Sequence, residues 1–598
     1  MFKLVTPHAA VLVWNYNDRV DSHGGGVDVH GIEQVVIGTS SIISIATNKK
    51  KSSGAGTFDV RLSPRFNWVT RITPGSWCAI LMSQEQIPTM KLGNVGTAQK
   101  KSFRMLGRID SVRGVVEVDQ TTGARKTVFV MTGQDWGSVF DSNLYIDPIL
   151  GNNTVTGDAI AQAQTILGIN MYASMKDSKK MPSSSTLVDT IITLWGAGAT
   201  GGVTQAAETK LGPSPATSPI LTSSHTQFKL PKEVATFMKQ GKTVAGQLIP
   251  GTLSVNFADI ISTKHGKLSG YDSYSGDMEE AFGIPAVSTF FGKHTFWQLL
   301  TDLSNGVLNE LVSDIRWEDN NPKFTLYHRV KPFINDPQFM TKLAALNPLE
   351  AGDIAAAKST AEKLASLFKN VRKIKIETSD VLNINFGTNW RDKINFIEIT
   401  PTSQLLGDAQ AFDAKLSGQT TDRNGYERDG FKPMFVYSPF LPYAQGSTPM
   451  VKEMAHWKYL LRDWYFNTHL MLNGAITVVG QDEYIQVGDN IMVSSKILGS
   501  SYINAFQKLP KETFLLAHVE SISHNFSVNQ ETGARTYSTN IQFVRGITTD
   551  ESGTSINLID GNAIDYNADK LTGVEERNHN VFGSSTSTDP DEDKIKGT

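Results

Sequence analysis

Residues 106–133 read LGRIDSVRGVVEVDQTTGARKTVFVMTG, and residues 516–543 read LAHVESISHNFSVNQETGARTYSTNIQF. The shared TGAR is too short to argue from, but the flanks align without a gap. Ile109 faces Val519, Asp110 faces Glu520, Ser111 faces Ser521 and Val112 faces Ile522. Apolar and polar residues alternate before each turn, the period of a half-buried strand. Both copies slip phase at the same place. Ile109 and Val519 are odd-numbered, whereas Val112, Val116, Val118, Ile522, Phe526 and Val528 are even-numbered. A shared slip predicts a β-bulge, which bends a strand and sharpens its twist. Gly123 and Gly533 can take positive φ and close a hairpin, and Arg125 and Arg535 follow them into the return strand. There Thr127, Phe129 and Met131 match Tyr537, Thr539 and Ile541, while Val128 and Val130 match Ser538 and Asn540. The pattern predicts two versions of one bent hairpin, the first buried on both faces and the second half exposed.

The echo continues upstream. ITPGSWCAILM (72–82) matches IQVGDNIMVSS (485–495), with Gly75 and Gly488 in one place, and FDVRL (58–62) and GAITVV (474–479) precede them as alternating stretches. Each end of the chain therefore carries a strand, a glycine turn, a strand, a variable loop and the hairpin, enough for a small antiparallel barrel or sandwich. Gly75, Ser111, Gly123 and Arg125, with Gly488, Ser521, Gly533 and Arg535, are the repeated motif and the candidate structural and interface residues.

A chain of 598 residues is a prior for about four domains. Hydrophobic residues at 40% and charged residues at 19% suit a globular chain with a sizeable core. The formal net charge of −3 supplies no basic field for nucleic acid. Cys78 is the only cysteine, which excludes an intramolecular disulfide framework and cysteine-based zinc clusters and fits synthesis in a reducing cytosol. Its expected role is a small apolar strand residue. The N-terminus lacks a signal-peptide core, and no run approaches a membrane span, so no stable membrane insertion is expected.

Along the chain, residues 1–32 read as an irregular arm with a glycine cluster at 22–31, and 33–145 as all-β. NKKKSSGAG (48–56) reads as a polar loop whose three lysines cap an exposed tip, with contact to phosphate or an acidic partner as the alternative. Segment 146–290 has helical spacing at 157–169 and 185–198 and a long Gly/Ser/Pro-rich loop at 196–227. In 291–471, Phe296, Leu299, Leu300, Leu303, Val307 and Leu311 share a helical face. A hairpin with DNNP (319–322) as its turn comes next, then a helix at 353–369, strands at 380–400 and a helix at 453–471 carrying Met454, Trp457, Leu461 and Trp464 as core. The second β-module covers 472–550, and 551–598 is an extended polar tail.

Catalytic and metal motifs fail on inspection. DPDEDKIKG (589–597) lacks the glycine of a calcium loop. FGKHT (291–295) lacks the upstream glycine of a phosphate loop, since position 287 is Val287. The 12 histidines show no metal-ligand spacing. Adjacent carboxylates such as Glu279/Glu280 and Glu575/Glu576 read as solvated surface. No catalytic residue, metal site or cofactor is expected.

The assembled pattern resembles the hub proteins of contractile-tail phage baseplates, related to the late-control D type. The likeness is carried by ITPGSWCAILM…LGRIDSVRG…VFVMTGQDW (72–136), TFWQLLTDLSNGVLNELVSDIRWEDNNPKFTLYHRVKPF (295–333), NINF…NF (383–396), HWKYLLRDWYFNTHLMLNGAITVVGQDEYIQVGDNIMV (456–493) and the final hairpin. Segment 146–290 departs from the family pattern. The resemblance implies an α+β, predominantly β chain, with two tube-like antiparallel β-barrel domains joined by α+β middle domains. It implies no enzyme but a homotrimer that adapts a sixfold tail tube to a threefold central spike. Partners would be the tail tube protein, the central spike protein and neighbouring wedge or tape-measure proteins, with DNA passing through the channel without specific binding. The place would be the virion tail baseplate, after assembly in the host cytoplasm. A tail-associated cell-wall hydrolase, the axial hub of a non-viral contractile injection system and a carbohydrate-binding receptor protein are the rival readings.

Overall fold

The computed structural model describes residues 6–16, 32–87, 101–118, 123, 125–141, 143–146, 371–401, 427–438, 461, 465–466, 468–480, 484–494 and 514–549, with short segments between 242 and 330. The chain opens with β1 (His8–Tyr16), β2 (Ile32–Gly38), β3 (Ile42–Lys50), β4 (Thr57–Leu62), the short helix α1 (Trp68–Arg71), β5 (Trp77–Ser83), β6 (Phe103–Val118) and β7 (Arg125–Asp135). Next come β8 (Asn143–Ile146), β9 (Lys242–Val244), β10 (Gln247–Ile249), β11 (Ser254–Phe257), β12 (Gly292–Thr295), β13 (Asn309–Glu318) and β14 (Asn321–Val330). The last group is β15 (Lys373–Ile376), β16 (Val381–Gly387), β17 (Phe396–Pro401), β18 (Pro433–Ser438), β19 (Leu472–Val479), β20 (Asn490–Ser494), β21 (Phe514–Val528) and β22 (Arg535–Thr549).

Strands from both ends of the chain form one 13-stranded sheet, in the order β16-β19-β22-β21-β3-β4-β7-β6-β5-β1-β2, with β20 on β21 and β15 on β20. Within it the two ends of the sequence are paired alike. Phe58 lies opposite Gly133 and Val60 opposite Met131, just as Gly474 lies opposite Phe543 and Ile476 opposite Ile541. Cys78 lies opposite Gly107 as Ile491 lies opposite Ala517. The hairpin β6–β7 shifts register between Ile109 and Ser111, and β21–β22 shifts between Val519 and Ser521. These are the bulges that the phase slips predict. A second shared irregularity falls between Ile42 and Ser44 on β3 and between Val381 and Asn383 on β16. So β3, β4, β5, β6 and β7 correspond to β16, β19, β20, β21 and β22. The outer neighbours differ: β1 runs antiparallel to β5, whereas β15 runs parallel to β20.

Each module buries one face. Val11, Ile37, Ile45, Val60, Cys78, Met105, Ile109 and Met131 share one core drawn from all seven strands β1–β7, so this part of the sheet folds back over itself. Ile374, Ile476, Val487, Ile491, Ala517, Val519, Ile541 and Phe543 share the other. The strand path is open at β2 and β16, and no pairing among the described residues joins β2 to β3.

Several expectations need correction. Residues 8–16 do not belong to an irregular arm: β1 pairs with both β2 and β5 and is buried. Its HAAVLVWNY run is apolar enough to sit between two neighbours. Leu311 lies on β13, not on a helical face; Trp297, Gln298 and Thr301 are helical, while Phe296, Leu299, Leu300, Leu303 and Val307 lie outside the described residues. The hairpin beyond it is present, but Asn321 and Pro322, expected in its turn, belong to β14 and lie opposite Glu318 and Trp317. The second module begins before 472, because β15 and β16 join it. Of the helix expected at 453–471, Leu461 is helical and buried and Thr468–Leu470 is a 3-10 turn, while Met454, Trp457 and Trp464 lie outside the described residues. The helices expected at 157–169, 185–198 and 353–369, the loop at 196–227 and the tail also lie outside them. On β22 the expected pattern holds, with Tyr537, Thr539 and Ile541 buried between more exposed neighbours; on β7 it holds in part, with Val128, Val130 and Met131 buried but Thr127 exposed and Phe129 half-buried. The outgoing strand β6 departs from it, since Val116 and Val118 are 62% and 59% exposed.

Gly75 and Gly488 both stand at φ 88°. A Cβ on Gly75 would meet only the Arg108 guanidinium at 4.0 Å, whereas one on Gly133 would lie 2.1 Å from the Arg108 carbonyl oxygen. Gly75→Ala and Gly488→Ala should each destabilise by about 1–2 kcal/mol, the strain of a side chain at positive φ. Gly133→Ala should cost more than either, because backbone must move. Urea denaturation of the three variants checks the order.

Candidate assembly surface

The repeated glycines build one device twice. Thr73 carbonyl accepts from Ser76 N–H at 3.2 Å around Gly75, and Gln486 carbonyl accepts from Asp489 N–H at 3.2 Å around Gly488. Both are tight turns with glycine third. Gly75 N–H donates to Ile109 carbonyl at 2.6 Å, and Ile109 N–H donates to Ser76 carbonyl at 2.9 Å. Gly488 N–H donates to Val519 carbonyl, and Val519 N–H to Asp489 carbonyl, both at 2.9 Å. Each turn thus grips the residue just before the bulge. Pro74 presets the first turn, but Val487 occupies its place in the second. There the Asp489 carboxylate accepts from Gln486 N–H at 2.8 Å and takes an ion pair from Arg372, holding by hydrogen bonds what proline holds covalently.

Beyond the bulges, Ser111 and Thr132 hydroxyls meet at 2.8 Å, and Ser521 Oγ donates to Gln542 Oε1 at 2.8 Å. Gly123 and Gly533 stand at φ 66° and 68° at the hairpin tips. Asn529, which carries no mark in the repeated motif, caps the second tip by accepting from Glu531 and Thr532 N–H at 2.9 and 3.2 Å. The two arginines diverge. Arg125 is exposed, while Arg535 Nη1 lies 3.5 Å from Pro7 carbonyl and 3.4 Å from His8 Nδ1. Burial and that guanidinium hold the His8 pKa below its usual value.

The modules meet where β21 pairs with β3, from Ser521 opposite Lys50 to Ser527 opposite Ser44. Of the three lysines expected at an exposed tip, Lys51 instead pins this seam and Lys49 is buried beside it. Residues 48–50 belong to β3, and Lys49 is 8% exposed. Its Nζ lies 2.6 Å from Asp135 Oδ2 and donates to Gly54 carbonyl at 3.0 Å and Ser313 Oγ at 3.2 Å. Lys51 pairs with Glu520, the bulge residue, and with Glu310 at 3.2 Å. Of the three lysines, only Lys50 points to solvent. Strand β13 supplies Glu310, Ser313 and Asp314, all buried. Asp314 accepts from Tyr484 hydroxyl at 3.1 Å and Ile315 N–H at 2.7 Å. Burial pushes its carboxyl up to about 6 against the pull of Lys49. Burial also raises Asp135, and it lowers His518 well below the imidazole range, aided by Lys51, so His518 is neutral against Asn490 and Glu310. A cavity of about 30 Å³ lies among Lys49, Arg104, Asp314 and Tyr484, room for one water.

The face opposite the cores is polar. One rung crosses eight strands through Asn383, Thr477, Asn540, Ser523, Asn48, Thr57, Gln134 and Arg108. All but Arg108 are uncharged. Around the seam this face forms a shallow groove of about 610 Å³, where Lys50, Asp59 and Asp110 are the charged residues.

No protein-family model matches the chain, and no curated protein matches its sequence. Among solved structures it is similar to the tail protein of Neisseria meningitidis MC58, at 10% identity and a TM-score of 0.32 over 90% of this chain and 96% of that one. It is similar to the 43 kDa tail protein of prophage MuSo2 from Shewanella oneidensis, at 11% identity and a TM-score of 0.34 over 90% and 98%. It is also similar to the Francisella PdpA–VgrG complex, at 6% identity and a TM-score of 0.33, over 91% of this chain and 53% of that one. Likeness at this level carries no argument about function.

Asp314 gives the seam a pH signature. Its folded-state pKa of about 6 lies above the unfolded 3.8, so the folded chain holds the proton more tightly. The resulting penalty is absent below 3.8, grows between 3.8 and about 6 and is complete above. Asp314→Asn keeps both acceptor contacts and removes the penalty. The variant should match the parent near pH 4 and exceed it in stability above pH 6, read as urea midpoints across that range.

Proposed function

We propose that this chain is the structural hub of a contractile phage tail, acting as a homotrimer. Its six β-modules would meet a sixfold tail tube on one side and a threefold central spike on the other. The observation that carries this reading is the internal repeat: two modules with the same pairing registers, bulges and glycine turns lie side by side in one sheet, joined edge to edge through β3 and β21. A unit that adds its like at one edge generates a ring when the rotation closes. Three copies of a two-module chain give six positions; three copies of a one-module chain do not.

In this reading the barrel-like modules centre on 33–145 and 472–550, and 291–471 joins them. The repeated motif, Gly75 to Arg125 and Gly488 to Arg535, shapes the ring contacts. The polar face lines part of the axial channel. Asn, Ser, Thr and Gln side chains offer DNA no array of fixed cations, and phosphate binding depends on such cations. Tail tube, spike and neighbouring wedge or tape-measure proteins are the partners. The role is non-enzymatic and the place is the virion baseplate. The axial hub of a non-viral contractile injection system needs the same geometry, and genomic neighbours (capsid and terminase, or toxin cargo) separate the two.

The purified protein should have a solution mass of about three times 65.5 kDa. End-on electron-microscope class averages should show six similar lobes around an axis. A monomer, or a particle without the six-lobed outline, overturns the reading.

A further inference from the structure

The internal repeat also fixes which edge meets which, because one of two equivalent contacts is already made inside the chain. Strand β21 pairs with β20 as far as His518, then with β3 from Ser521. Its counterpart β6 pairs with β5 as far as Arg108. Beyond that point no strand among the described residues lies on the same edge of β6. The counterpart of β3 is β16, which ends the sheet and, among the described residues, pairs only with β19. Two edges that should be partners by the repeat are thus left apart: β16 ends the strand path, and the outer half of β6 lies beyond the reach of β5, three strands in from the other end.

Exposure marks the same two edges. Val116 is 62% exposed, whereas Phe526, at the equivalent position beside β3, is 1% exposed. Val118 and Leu382 are 59% and 60% exposed, on the outer half of β6 and on β16. A long edge with apolar side chains invites pairing with another chain.

Resting on the hub reading, we propose that β16 of one copy pairs antiparallel with the outer half of β6 in the next, in the register that β3 and β21 use. Ile45 opposite Phe526, Thr47 opposite His524 and Ser44 opposite Ser527 translate into Ile384 opposite Val116, Phe386 opposite Gly114 and Asn383 opposite Glu117. One step further brings Leu382 towards Val118, so the exposed apolar residues on these edges cover each other. At Gly114 a Cβ would touch only the Phe129 ring, at 3.5 Å, which leaves room for the Phe386 ring. The shared irregularity on β3 and β16 serves this register, since it sets the same residues facing outward in both strands. The occupant is a second copy of this chain, and each copy offers one donor edge and one acceptor edge. The contact is heterologous and propagates until a ring closes.

Cysteine pairs test the register, with buried Cys78 as a silent background. Val116→Cys with Ile384→Cys, and separately Val115→Cys with Asn385→Cys, should shift the denatured monomer band to covalent dimers and closed trimers under mild oxidation. Val112→Cys with Ile384→Cys, four residues out of register, should leave it unmoved. Mixing Val116→Cys protein with Ile384→Cys protein should give dimers only, which proves a contact between copies. A particle of trimer mass that cross-links at neither in-register pair, or equally at the shifted pair, overturns this pairing and leaves the hub reading standing. A chain that stays monomeric and never cross-links overturns both.

Discussion

Strand β21 keeps β22 along one edge and has two partners in turn on the other, and the rest of the architecture depends on the place where it changes between them. It runs beside β20 to His518 and beside β3 from Ser521, and the step between falls at the Val519/Ser521 bulge. An unbent strand would keep one neighbour along its length. A bulge turns the strand and re-aims its outer half. The Gly488 turn holds Val519 on one side of the bend, and the ion pair from Lys51 holds Glu520 at it. Half of the strand belongs to its own module, and half serves as a clasp for the other module.

The clasp is charged where a simpler seam would be apolar. Lys49, Asp135, Asp314 and Glu310 are all buried there, with Lys51 nearly so. Taking such groups from water is costly, and apolar residues of similar volume often stabilise as well or better. What buried pairing supplies is intolerance of misalignment: breaking such a pair costs about 3–5 kcal/mol, against about 0–1 kcal/mol for a surface pair. A slip of β3 along β21 would part Lys51 from Glu520, while Lys49 and Asp135 tie β3 to β7 within their own module. The seam therefore fixes the angle and height of one module against the other, which a ring of repeated units requires.

The repeat is legible in sequence because its signals are local. A phase slip within a strand, a glycine at a turn and a Ser after a bulge each announce themselves within a few residues. The seam is not, because its partners are remote. Asp135, Glu310 and Glu520 give no local sign of waiting for Lys49 and Lys51, and a lysine run defaults to solvent. Strand β1 does leave a mark, an apolar run in HAAVLVWNY of the kind a doubly covered strand carries. Leu311 reads as helical because its spacing fits more than one period; Asn305 and Gly306 just before it are the kind of pair that ends a helix. Val116 and Val118 read as buried from their alternation. Period 2 tells that a side chain has an apolar face to share, and it is silent on whether the partner lies in the same molecule.

The two modules are alike without being interchangeable. In the first, Phe58 lies across from Gly133; in the second, Gly474 lies across from Phe543. The bulk sits on the opposite strand in each, so the same space is filled from the other side. A hybrid that took its fourth strand from one module and its hairpin from the other would set ring against ring or leave a hole where a ring belongs. Genetic exchange between the halves is thereby penalised, and the chain keeps a lasting distinction between its front and back copies.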